Sequence, residues 1–310
     1  MPLDHHPVTF VSADGVHLAG TRLGRPGAVA TVIYVHGLLT DSSYWEPLTR
    51  RLHHRFDGGI AQITYDQRGH GASGRPHRRT GTTMAHLVAD LDTVLTGATG
   101  ATVLVAHSAG ALAVHAWAEQ HPHRAAALAG LVLFNSAGEF PEFPSLPTHF
   151  RNWSQRLHRW RRGPLDPIAA AAATALERRF RRRSRRLGAK AHLITADRPA
   201  DPRVLTDVLA AYRSYTLTAD AAAPLRSTPS FVLSGDRDKI VPPTQSVRLA
   251  DKIWADYTVV PGAGHSLPHT QPDTAADTIT EALHVAYHAT ISDPVLGVLA
   301  DDTAEPGRPT

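Results

Sequence analysis

Thr102-Val103-Leu104-Val105-Ala106-His107-Ser108-Ala109-Gly110-Ala111 runs a short apolar, largely β-branched segment into a serine flanked by small residues. An alanine-rich stretch follows, in which Leu112, Val114, His115 and Trp117 have the spacing of a helix packed on a sheet. This is the layout of a nucleophile elbow, a sharp strand-to-helix turn that pushes the serine out of the sheet. Strand and helix pass closely there, so the positions two before and two after the serine must be small, and Ala106 and Gly110 meet that demand. A serine that merely caps the helix beginning at Ala109 has the same local look. The decision rests on whether a base, an acid and an oxyanion site occur elsewhere in a compatible order.

The apolar run Tyr257 to Val260 reads as a strand and leads through Pro261, Gly262, Ala263 and Gly264 to His265. The two glycines give this loop the conformational freedom an imidazole needs to reach over a sheet edge. Upstream, Ser230 to Ser234 ends another apolar run with two acidic candidates, Asp236 and Asp238, ahead of Ile240-Val241-Pro242. Serine, aspartate and histidine therefore follow one another in an order known for one class of serine triad.

Three further stretches accompany these: Val32 to Leu38, containing His36-Gly37; Asp66-Gln67-Arg68-Gly69-His70-Gly71-Ala72-Ser73; and Gly235-x-x-Asp238-x-x-x-Pro242. Together they resemble the α/β-hydrolase-fold serine hydrolases of esterase and thioesterase type with a helical lid, over about Val8 to Tyr287. The resemblance implies a mostly parallel eight-stranded sheet flanked by helices. It assigns the acid to Asp238 rather than Asp236 and the oxyanion-hole N–H groups to Leu38 and Ala109. A second acid position, used by some members after the sixth strand, falls near Asn135 and Ser136, where no carboxylate stands; Glu139 is the nearest. His36, Gly37, His107 and Trp153 become pocket candidates, the two histidines packing or hydrogen-bonding beside the site. The Asp66 to His70 stretch is expected to pin a surface turn, and Asp90 and Asp92 to sit on a solvated helix face.

The chemistry needs these residue types. A serine hydroxyl is a poor nucleophile near neutrality, whereas an imidazole, with an ordinary pKa of about 6.5, can take its proton and return one to the leaving group. A carboxylate behind the imidazole fixes its tautomer and stabilises the imidazolium. A serine nucleophile argues against epoxide hydrolase and haloalkane dehalogenase activity, since members of those types use aspartate at this position. The expectation is cleavage of a carboxylic ester or thioester through an acyl-enzyme. A carbon–carbon bond hydrolase, a lactonase and a cofactor-free perhydrolase could use the same triad. A non-catalytic ligand-binding protein of the same fold is the rival from another class, and a damaged triad would be its mark.

Strands are expected at Val8 to Val11 and Val16 to Leu23, as a hairpin about Asp14-Gly15, and near 31–35, 60–65, 102–106, 130–134, 230–234 and 256–260. Almost a hundred residues between Phe134 and Ser230 carry no clear buried strand, too many for a loop. The expected division is a core of 1–137 and 225–291, a helical insertion over 138–224, and a mobile tail at 292–310. Between Arg151 and Lys190, 12 arginines and one lysine stand against Asp166 and Glu177, a net +11 in a chain whose total is +4. That segment is either a solvated helical face in an arginine-biased chain or a docking face for an acidic partner such as a carrier protein or coenzyme A ester. Trp153, Trp160 and Phe180 are too few an aromatic set to indicate nucleic acid.

Cysteine is absent, so disulfides and thiolate metal sites are excluded. The paired histidines His53-His54 and His121-x-His123 lack the further ligands a zinc site needs, and no metal or other cofactor is expected. The N-terminus has neither the basic start nor the apolar core of a signal peptide, and no apolar run approaches the roughly 20 residues that span a bilayer, so a cytoplasmic location is expected.

Overall fold

The structure is a computed structural model and describes residues 5–25, 27–76, 81–140, 175 and 200–291. Strands β1 (His5–Val11) and β2 (His17–Leu23) form the expected hairpin, and Gly15 at φ +79° makes its turn. Then follow β3 (Ala30–Val35), α1 (Glu46–Arg55), β4 (Ala61–Tyr65), α2 (Met84–Leu95), β5 (Ala101–His107), α3 (Gly110–Gln120), α4 (Pro122–Ala126) and β6 (Gly130–Phe134). After residue 199 come α5 (Pro202–Arg213), α6 (Ala219–Ala222), β7 (Ser230–Gly235), α7 (Pro243–Ile253), β8 (Asp256–Val260), α8 (Leu267–Thr270) and α9 (Pro272–Ile291). The eight strands make one sheet in the order β1-β2-β4-β3-β5-β6-β7-β8, antiparallel at β1/β2 and β2/β4 and parallel across the rest.

The apolar runs of β3, β6 and β7 are buried throughout, as parallel strands covered on both faces must be. Side chains alternate between two cores with the strand period of two. Ile33, Val35, Leu104, Leu131, Leu133 and Val232 pack with residues of α2, α3 and α7, whereas Val32, Tyr34, Val105, Phe134 and Leu233 pack with α1 and α9 on the opposite face. Helix α3 is buried from Gly110 to Ala118, so it is a central helix and leaves only its C-terminal end to solvent.

Within the expected insertion, 200–224 is described and the rest of 141–199, apart from Ala175, lies outside the described residues. That excluded stretch contains Trp153 and the arginine-rich segment; the 292–310 tail also lies outside. Val204, Val208, Ala211 and Tyr212 of α5 cluster with Leu87 of α2 and with Ala109, Leu112 and Ala113, with Leu38 packed against the group. Leu217, Ala221, Ala222 and Leu225 join the core on the α2/α3 face. Among the described residues no helix is long and apolar enough to cross a membrane.

Two surface expectations are corrected. The Asp66 to His70 stretch is buried, with Asp66 5%, Arg68 0% and His70 2% exposed, and Asp90 is 2% exposed rather than solvated. The Arg68 guanidinium can leave water because Asp90 meets it at 2.5 and 2.6 Å and Asp14 at 2.8 Å. Asp66 likewise accepts the Ser42 and Ala72 N–H groups, at 2.7 and 2.8 Å. Asp92 is half-buried and accepts from Trp117 Nε1 at 2.9 Å. The start of α5 lies on this stretch: Asp201 N donates to Gly69 O, and a Cβ on Gly69, at φ +73°, would meet Val204 at 2.4 Å.

Candidate active site

Ser108 sits between β5 and α3 with φ +54°, in the left-handed region that a non-glycine residue enters at a cost. The surroundings hold it there. Its N–H donates to Phe134 O at 3.0 Å, and the Ala111 N–H donates to Ser108 O at 3.1 Å. Crowding at the crossing is severe at Gly110, where a Cβ would stand 2.5 Å from His36 O. Ala106 is accommodated, fully buried in the core.

Three distant side chains meet at this turn. His265, on the loop after β8, places Nε2 2.9 Å from Ser108 Oγ and Nδ1 2.8 Å from Asp238 Oδ2. Asp238 is 5% and His265 3% exposed, while Ser108 keeps partial access to solvent. The other carboxylate oxygen, Oδ1, accepts the Ile240 and Val241 N–H groups at 2.8 and 3.0 Å. Burial pushes the Asp238 carboxyl up, but the facing His265 imidazole and these donors together hold it below the usual carboxylate range. The ionised carboxylate selects the Nδ1–H tautomer of His265 and leaves Nε2 free to accept the serine proton. Asp236, the other candidate, is exposed and outside this line.

Sequence reasoning missed a fourth member. Asn135 follows β6 with φ +49°, is fully buried, and donates Nδ2 to Asp238 Oδ2 at 2.7 Å and to Gly264 O at 3.3 Å. It stands at the strand end where the resemblance places a second acid position, and the absence of a carboxylate there is its only signal in the sequence. Glu139 is elsewhere, bridged to Thr216.

The pocket candidates His36 and His107 are buried, at 0% and 1% exposure. His107 Nε2 contacts His265 O at 2.7 Å, and its ring stacks on Tyr44 at 4.7 Å between centroids. Burial, reinforced by the neighbouring His265, pushes its pKa down to about 3, so the ring is neutral and donates to that carbonyl. His36 Nε2 accepts the Gln67 N–H at 2.9 Å. Gly37 lies directly against the elbow, since a Cβ there would be 3.2 Å from Ser108 Cβ and 2.8 Å from His107 Nδ1. Among the described residues, neither the Leu38 N–H, next in the chain after Gly37, nor the Ala109 N–H, next after Ser108, donates to a protein acceptor. No group of three or more histidine, cysteine or carboxylate side chains that could hold a metal occurs among the described residues.

All these groups lie beyond the carboxyl ends of β3 to β8, where open α/β sheets place their sites. Solved structures share the arrangement of the chain. An esterase from Thermogutta terrifontis is 24% identical with a TM-score of 0.64, the match covering 91% of this chain and 99% of that one. An enol-lactonase from Burkholderia xenovorans LB400 is 21% identical at TM-score 0.63, covering 89% and 100%. The thioesterase domain from the curacin biosynthetic pathway is 18% identical at 0.61, covering 90% and 100%. No curated protein matches the chain. The family model for the alpha/beta hydrolase fold matches residues 30–272. On that match, over most of a chain folded around one eight-stranded sheet, the chain belongs to the α/β-hydrolase fold family.

Proposed function

We propose that the protein is a serine hydrolase that cleaves a carboxylic ester or thioester through an acyl-enzyme. The observation that carries this reading is the continuous line from Ser108 Oγ through His265 to Asp238, at 2.9 and 2.8 Å, with Ser108 only partly buried.

As Ser108 Oγ bonds to the carbonyl carbon, its proton passes to His265 Nε2, and Asp238 stabilises the imidazolium. The electron pair displaced onto the carbonyl oxygen stays there as an oxyanion, to which the Leu38 and Ala109 N–H groups donate hydrogen bonds. One such donor is worth roughly 3–4 kcal/mol in a transition state. Collapse of the tetrahedral adduct expels the alcohol or thiol, which takes the proton from His265. Water then repeats the sequence on the acyl-enzyme and releases the acid. The esterase, lactonase and thioesterase among the structural neighbours support hydrolysis at an acyl carbon as the shared chemistry.

The test is labelling by a fluorophosphonate together with turnover of p-nitrophenyl esters of rising chain length, acyl-coenzyme A esters and lactones. Labelling at Ser108, lost in Ser108→Ala along with at least about 10³-fold of turnover, is the expected result. Folded protein that neither labels nor turns over any acyl substrate would leave a ligand-binding role instead.

A further inference from the structure

Beneath the Leu38 N–H lies a chain of buried hydrogen bonds that the steps above do not use. The Leu38 N–H belongs to the same peptide unit as the Gly37 carbonyl, and in a trans peptide these two groups point in opposite directions. Whatever grips Gly37 O therefore sets the direction of the Leu38 N–H. Two side chains grip it: Thr40 Oγ1 donates at 2.8 Å, and His36 Nδ1 lies at 2.8 Å. Because His36 Nε2 accepts the Gln67 N–H at 2.9 Å, the ring proton must be on Nδ1, which therefore donates to Gly37 O.

Gln67 also fastens the preceding carbonyl, through Nε2 to His36 O at 2.5 Å. Its remaining polar atom, Oε1, accepts the Tyr212 hydroxyl at 2.7 Å, so the amide has one orientation that satisfies both ends. His36, Thr40, Gln67 and Tyr212 are each at most 3% exposed. Burial lowers the His36 pKa against the pull of Asp66, keeping the ring neutral. Tyr212 belongs to α5, the helix packed over Ala109 and Leu38.

We propose that Tyr212, Gln67, His36 and Thr40 are positioning residues that aim the Leu38 N–H by holding the far end of its own peptide unit, so that the seating of helix α5 sets the oxyanion donor. The proposal rests on the serine-hydrolase reading. None of the four touches the reacting atoms; they act through the peptide.

Thr40→Val and Tyr212→Phe each remove one hydroxyl and keep the side-chain shape. Each is assayed on a p-nitrophenyl ester and against a trifluoromethyl ketone, whose adduct with Ser108 carries the same oxyanion. Misaiming one donor is expected to lower kcat about 10- to 100-fold with KM held within about twofold, and to weaken the ketone by the same factor as kcat. Thr40→Ser, which restores a hydroxyl, recovers most of the loss. Unchanged kcat in both variants, a loss confined to KM, or ketone affinity that survives a loss of kcat would overturn the relay. Wild-type protein that fluorophosphonate does not label overturns the underlying reading instead, so the two failures are told apart.

Discussion

Asn135 shows how much one side chain can hold. It occupies a left-handed backbone position at the end of β6 and spends both protons of its amide on Asp238 and Gly264, tying the acid to the loop that carries His265. Two effects are superimposed there, and substitution separates them. Asn135→Gly keeps the backbone free to adopt φ +49° but removes the amide, so kcat is expected to fall about 10-fold as Asp238 loses one of its donors. Asn135→Ala loses the same bonds and also meets the steric penalty of the left-handed region, about 1–2 kcal/mol of additional stability. Parallel kcat measurements and urea unfolding of the two variants check this: equal kcat with unequal stability is the expected pattern. An alanine variant as stable as the glycine variant would mean that the backbone strain has been misjudged.

Elements were read from the sequence with small errors, and the reason lies in burial. Strands such as Val32-Ile33-Tyr34-Val35 and Gly130 to Phe134 are covered on both faces, so they stand out as unbroken apolar runs between turns. The convergence of Ser108, Asp238 and His265 was legible because a serine triad demands both a residue type and a place after a strand. Gln67 and Tyr212 were not, since a glutamine inside a loop motif and a tyrosine on a helix have no such signature until the chain is folded. Asp90 misled for a related reason: a carboxylate on a helix reads as solvated unless its partner is known, and Arg68 comes from another element 22 residues away. That pair joins α2 to the loop after β4, while Asp14 on the hairpin turn adds a more exposed contact. Asp90→Ala leaves a buried guanidinium short of a carboxylate and is expected to cost about 3–5 kcal/mol, whereas Asp14→Ala, at a partly exposed site, costs about 1 kcal/mol. Chemical denaturation of both variants decides the point. Equal losses would show that the hairpin contact, rather than burial, governs the cluster.

At the scale of the whole molecule, the fold encloses several histidines as neutral rings. Burial pushes His70, His107 and His115 down to about 3; the neighbouring His36 adds to the shift at His70, His265 at His107 and Lys252 at His115. His36 is lowered as well. In the unfolded chain each regains an ordinary value of about 6.5, so below that pH the unfolded state binds more protons and its free energy falls relative to the folded state. Stability is therefore complete above about pH 6.5 and declines as pH falls, a loss that continues down to the folded values near 3. At pH 5 a ring lowered to about 3 contributes a loss on the order of 2 kcal/mol, a sizeable share of the total of about 5–15 kcal/mol typical of a domain. Asp238 does not offset this window, because a carboxyl with a lowered value loses its contribution only at more acidic pH. His115 isolates the effect best: it lies on α3 away from the triad, and among the described residues neither ring nitrogen has a partner. His115→Leu replaces it with an apolar group of similar bulk. Thermal unfolding at pH 7.5 and pH 5 is expected to show a large acid-induced drop in Tm for the parent and a smaller one for the variant, with ester turnover at pH 7.5 retained. If both proteins lose the same number of degrees, His115 is already protonated or solvated in the folded state, and the acid sensitivity must originate in the histidines around the elbow.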